Sequence, residues 1–208
     1  IKMKAVYLRT VKFVILLTVP LGLGMALTAR PFILTFFTDK WEDAIPVMQA
    51  ISIHIMLHSF TFNAGSLYQA QGKLKLHATM IFLKAILTVV VLWIVISTFG
   101  TIQAIAWSLL IVSSADVFLN MGVLTSLFKF RLGTLLNSFR PGILAGLGMA
   151  AILLLLLPVL ENIPTHLLQL LIEALLGAIL YFGFLWFIDR DALIKGAVMV
   201  RKTIRRTS

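Results

Sequence analysis

Six stretches of this chain are each apolar over about 20 residues, enough to cross the hydrocarbon core of a bilayer as helices. They fall at 13–37, 45–71, 78–97, 102–128, 141–158 and 166–188. In lipid every backbone N–H and C=O must find a partner inside the protein. A helix pairs them within one segment, whereas an open sheet leaves its edges unpaired. The expected fold class is therefore all-α integral membrane: a six-transmembrane-helix bundle. Composition points the same way. The chain is 60% hydrophobic and 12% charged, against about 45–50% and about 25% in soluble domains. Without cysteine, it has neither a disulfide framework nor a thiolate metal site.

The basic residues sort the loops into two kinds. Lys2, Lys4, Arg9 and Lys12 precede the first span, Lys73 and Lys75 follow the second, and Lys129, Arg131 and Arg140 follow the fourth. Six more close the chain: Arg190, Lys195, Arg201, Lys202, Arg205 and Arg206. The alternate loops, "TDKWED", "FGT" and "VLENIPT", hold only Lys40. Such alternation places both termini in the cytoplasm. The net charge of +10 is thus spent on topology rather than pooled on one polar face, and no nucleic-acid partner is expected. The domain reading is a six-helix lobe over 1–188 and a basic cytoplasmic interfacial tail over 189–208. The chain begins with Ile1, and no n-region or cleavage site precedes the first apolar run. A fragment of a longer chain, its beginning lost, is the expectation.

Polar residues inside the spans carry the functional signal. Pro20, the glycines of "GLG" at 22–24 and the pair Arg30-Pro31 break up the first span, either as packing and a kink or as a hinge. In the second, Ser52, Ser59, Asn63 and Ser66 share one face, and His54, His58, Thr61 and Gly65 roughly the opposite one. A helix polar on both sides belongs inside a bundle, with one side on a wet cavity. Lys84 lies within the third span, 16 residues before Gly100, and Asp116 lies 16 residues after it. The short turn at 99–101 makes these spans a hairpin, so the two charges lie at similar depth. Lys84 either snorkels to the headgroups or meets Asp116, which has Ser113 and Asn120 on its own face. Glu173 and Arg30 read as interfacial charges near span ends.

Catalytic patterns are missing. His54 and His58 are one turn apart, but no carboxylate lies within a turn of them, so neither a metal nor a cofactor is expected. "QGKLKL" lacks the hydroxyl of a phosphate-binding loop. No paired carboxylates or nucleophile–base spacing suggest an enzyme.

"RPFILTFFTDKWEDAIPVMQAISI" and "SLYQAQGKLKLH" carry a resemblance. The elements are Pro31 to Phe37, Trp41 at an outer turn, Ala44-Ile45-Pro46-Val47 opening a helix, and Ala70-Gln71-Gly72-Lys73 ending it. Over about 50 residues this resembles the second half of the polysaccharide and lipopolysaccharide (O-antigen-type) flippases of the MOP exporter superfamily. The resemblance implies one lobe of a two-lobe transporter in the cell inner (cytoplasmic) membrane. Its partners would be the bilayer, an N-terminal lobe of the same chain and a lipid-diphosphate-linked oligosaccharide, flipped by alternating access. Such a substrate needs cations and hydrogen-bonding groups. The candidates are Arg30 and Lys84 for charge, His58, Ser59, Asn63 and Asn120 for polar lining, and Asp116 as a coupling or ion-pair group. A cation or drug antiporter of the same superfamily and a non-transporting membrane scaffold stay open as alternatives.

Overall fold

A computed structural model describes residues 2–190. Among them are eight α-helices and one 3₁₀ turn: α1 (Lys2–Leu27), α2 (Ala29–Phe36), the turn Asp39–Ala44, α3 (Ile45–Ser59), α4 (Ala64–Ala70), α5 (Leu74–Thr98), α6 (Ile102–Ser126), α7 (Leu132–Leu160) and α8 (His166–Ile188). The fold is all-α, and six of its helical segments are long and apolar enough to cross a membrane: Met3–Leu27, Asp39–Ala70, Leu74–Thr98, Ile102–Ser126, Leu132–Leu160 and His166–Ile188. The tail read as interfacial lies, from residue 191 on, outside the described residues.

Two of the anticipated spans are broken. The first divides at Thr28, not at Pro20, which sits inside an unbroken α1. Pro31 supplies the reason: lacking an N–H, it cannot bond the Leu27 carbonyl, so a new helix starts where its first turn needs no such donor. The second divides at 60–63, between α3 and α4. There the Phe60 and Thr61 N–H groups reach back three residues, to the carbonyls of Leu57 and His58. The Ser59 hydroxyl bonds the Met56 carbonyl in the same pattern, and the Thr61 hydroxyl lies 3.1 Å from the His58 carbonyl while its one proton goes chiefly to the nearer Asp116 Oδ2. Hydroxyls competing for main-chain carbonyls tighten the last turn and end the α ladder. The fifth span starts nine residues before Pro141, since α7 runs from Leu132.

The helices pack as α1 against α3 and α7, α3 against α6, α7 against α8, and α2 across α8. Small residues set the close approaches. A Cβ on Gly22 would stand 2.6 Å from the Met56 Cβ and 3.0 Å from the Ser52 carbonyl, so α1 and α3 meet almost backbone to backbone. Tyr181 of α8 donates to the Leu16 carbonyl of α1 at 2.7 Å. One core cluster joins Val11, Ile15, Phe60, Tyr68, Leu124 and Phe139, and a second joins Leu16, Ala145, Met149, Leu153, Tyr181 and Leu185. α5 stands apart: none of its 25 residues is buried, and it packs against α6 and α4. One end of the bundle carries Lys4, Lys73, Lys75, Lys129 and Arg131 (the basic end), and the opposite end carries Asp39, Glu42, Asp43 and Glu161.

Candidate functional site

The two polar faces anticipated for the second span turn to different neighbours. Ser59 Oγ lies 2.7 Å from Thr18 Oγ1 on α1, while His54, Thr61 and Gly65 face α6 and α5. His54 Nδ1 is 2.6 Å from Ser113 Oγ and 3.2 Å from the Leu109 carbonyl. The Thr61 hydroxyl donates to Asp116 Oδ2 at 2.8 Å. Gly65 makes room for the His77 ring, whose Nε2 would be 2.6 Å from a Cβ there.

Asp116 is the hub. It is 8% exposed and takes donors from three elements. Thr61 comes from the α3–α4 break, Lys84 Nζ from α5 at 3.3 Å, and Asn120 Nδ2 from its own helix at 3.0 Å. Asn120, 6% exposed, is oriented in turn by the Tyr68 phenol of α4, which donates to its Oδ1 at 2.6 Å. Each oxygen of the carboxylate thus has a donor, and the charge that would be costly alone in lipid is both paired and hydrogen-bonded. The Lys84 side chain keeps 26% of its surface open, which fits a cation reaching inward from a peripheral helix. Tyr68→Phe removes the outermost bond of this network. The expected cost is about 1 kcal/mol of stability, read by thermal unfolding in detergent, and an unchanged midpoint would mean Asn120 is held without the phenol.

The remaining sequence candidates fall elsewhere. Arg30 lies at the opposite end from the basic cluster and pairs with Glu42 at 2.8 Å, each about half exposed. His58 is half-buried one turn from His54, with ring centroids 6.4 Å apart. Among the described residues no third ligand joins them. Asn63 sits in the α3–α4 break, where its Nδ2 is buried without a partner among the described residues. Glu173, read as interfacial, is instead 1% exposed and turned into the bundle. The Gln169 amide donates to its Oε1 at 2.8 Å, and Oε2 has no partner among the described residues. Two contributors to the hub escaped the sequence reading: Thr61, given only to a face, and Tyr68; Gln169, which holds Glu173, escaped it as well. Tyr68 lies, like the candidate Asn120, in the lysine-bearing half of its span, a signal that could have flagged the phenol as a partner for the amide.

A cavity of about 520 Å³ opens between α1, α2 and α3, lined by Leu21, Met25, Ile33, Met48, Ile55 and Met56 among others. None of the candidate polar residues lines it, and its wall is almost wholly apolar.

Residues 1–46 match a family model described as polysaccharide biosynthesis protein. The matched segment comprises α1, α2, the 3₁₀ turn and the first residues of α3, and overlaps the "RPFILTFFTDKWEDAIP" part of the motif read from the sequence. Of the candidate site residues only Arg30 lies within it; the Asp116 hub lies outside. No curated protein and no solved structure matches the chain. The match associates the chain with polysaccharide biosynthesis, and the six apolar spans make it a multi-pass membrane protein.

Proposed function

We propose that this chain is one six-helix lobe of an exporter that carries lipid-diphosphate-linked oligosaccharides across the cell's inner membrane by alternating access. In this reading the basic end faces the cytoplasm, and a second lobe of the same protein completes the cavity. The observation that supports it best is the ion pair at membrane depth: Lys84 and Asp116 at 3.3 Å, beside the interrupted span at 60–63. Interrupted helices and intramembrane charges are what transporters use to bind polar cargo and exchange ions. The similarity of residues 1–46 to a polysaccharide biosynthesis family supports the glycan as cargo and supports a transporter over an enzyme. Lys84 offers charge to the diphosphate, with His58, Ser59, Asn63 and Asn120 as polar lining and Arg30 at the outer mouth. Asp116 is the coupling group, holding or releasing Lys84 as it gives up or takes up a cation.

Cysteine accessibility tests the reading. Asn63→Cys, His58→Cys and Asn120→Cys, placed in the full-length protein in cells, are expected to react with a membrane-impermeant thiol reagent from one side, and less so when lipid-linked glycan accumulates. Protection from both sides, whatever the substrate level, would favour a scaffold instead. Reactivity that responds to a drug-like cation and not to the glycan would favour the antiporter.

A further inference from the structure

At the basic end, α6 passes into α7 through a five-residue strap, Leu127-Phe128-Lys129-Phe130-Arg131. Its phenylalanines turn inward and are buried. Phe128 stacks on Tyr68 at 5.5 Å, and Phe130 meets Tyr7 edge-on at 5.5 Å. Lys129 between them is exposed, with a φ of 50°. That left-handed conformation is uncommon for a residue with a side chain, and where it persists the surroundings impose it. Here the rings on either side are buried and the lysine between them is exposed.

Two further ammonium groups come to the same strap from other parts of the chain. Lys4 of α1 lies 5.2 Å above the Phe130 ring and donates to the Lys129 carbonyl at 3.2 Å. Lys73, from the turn between α4 and α5, lies 4.8 Å above the Phe128 ring. Among the described residues, no carboxylate forms an ion pair with any of the three. Three basic residues from separate parts of the chain thus meet at one five-residue strap, and with no carboxylate among them an anion is favoured there. The strap also lies at headgroup height, since the spans on either side end at Met3, Ser126 and Leu132.

We propose that Lys4, Lys73 and Lys129 form a binding site for the phosphate of an anionic bilayer phospholipid. The aromatic rings hold the two outer ammoniums in place, and the strained backbone presents the third. The headgroup phosphate accepts hydrogen bonds from them while the acyl chains lie along the apolar outer surface of the bundle. The site stands independently of what the protein transports.

The full chain, placed in nanodiscs of phosphatidylcholine with increasing phosphatidylglycerol, is the material for the test, with native mass spectrometry counting the lipids retained. The wild-type protein is expected to retain phosphatidylglycerol in preference to phosphatidylcholine. The variant K4Q/K73Q/K129Q should weaken that retention by about tenfold, and K4R/K73R/K129R should preserve it. A control with equal charge loss away from the strap, R9Q/K75Q/R140Q, should retain the lipid as wild type does. Should the triple variant misfold, Lys129→Gln alone, at an exposed position, is expected to lower retention severalfold. The proposal is overturned if the control loses as much as the strap variant, which would indicate a smeared surface potential. It is equally overturned if wild type shows no headgroup preference, or if a polyprenyl diphosphate supplied in a parallel arm is retained and phosphatidylglycerol is not.

Discussion

Replacing Lys84 by methionine is expected to cost the folded bundle about 1.5–3 kcal/mol, the usual worth of a hydrogen bond to a charged group, since the pair is only partly buried and Asp116 keeps the Thr61 and Asn120 donors. The loss falls on α5. It has no buried residue, and in lipid no hydrophobic force presses an apolar helix against its neighbours. Its contacts with α6 and α4 use half-buried side chains such as Leu76 and Met80, and among the described residues the bond from Lys84 to Asp116 is the one ion pair that ties α5 to the rest. The double variant Lys84→Met/Asp116→Asn should recover much of the loss. It removes both charges and leaves an amide oxygen for the Thr61 hydroxyl. A double-mutant cycle, read by steric trapping or by reversible unfolding in mixed micelles, isolates the coupling. Additive single-variant effects would show that the pair contributes no net attachment.

The second large effect is expected at the contact between α1 and α7. A Cβ on Gly146 would lie 2.4 Å from Val19 Cγ1 and 3.2 Å from Leu23 Cδ1. One turn earlier, a Cβ on Gly142 would lie 2.9 Å from Ile15 Cγ2 and 3.3 Å from the Ile15 carbonyl. With backbone this close at Gly142, α1 cannot yield at Gly146 without losing the neighbouring contact. Gly146→Leu should therefore destabilise by about 3 kcal/mol, the upper part of the usual range for overpacking. Gly146→Ala should cost less, and Val19→Ala in the same chain should relieve part of it. Gly122→Ala on α6, where nothing lies within 4 Å of the added carbon, serves as the comparison and should be neutral or slightly stabilising, since alanine is the better helix former. Equal midpoints for Gly146→Leu and Gly122→Ala in thermal unfolding would refute close packing of α1 on α7.

What the sequence could and could not disclose follows from the kind of signal each feature leaves. Span number is a matter of apolar length, and six segments are found. The common depth of Lys84 and Asp116 follows from equal spacing about the turn at 99–101. That they lie on facing sides, 3.3 Å apart, depends on helix rotation, which spacing does not encode. The break at 60–63 leaves no glycine or proline in "FTFN". Its cause is hydroxyls bonding back to carbonyls, and many unbroken helices carry the same residues. Glu173 misled because nearness to a helix N-terminus suggests a wet interface, whereas its face is set by the packing of α8 on α7 and α2. The Arg30–Glu42 pair joins residues twelve apart across a turn, and its partner could not be chosen from Asp39, Glu42 and Asp43 by sequence alone.

The isolation of α5 bears on how the chain enters a membrane in the first place. Lys84 is made 32 residues before its counter-ion, so during synthesis the ammonium reaches the membrane ahead of Asp116. A segment as apolar as Leu74–Thr98 can carry one cation into lipid for a time, but it gains no lasting grip there until its successor arrives. Integration of the third and fourth crossings should therefore proceed as a single hairpin. A nascent chain truncated between them would leave the third loosely held, exposed to quality-control proteases at the translocon door.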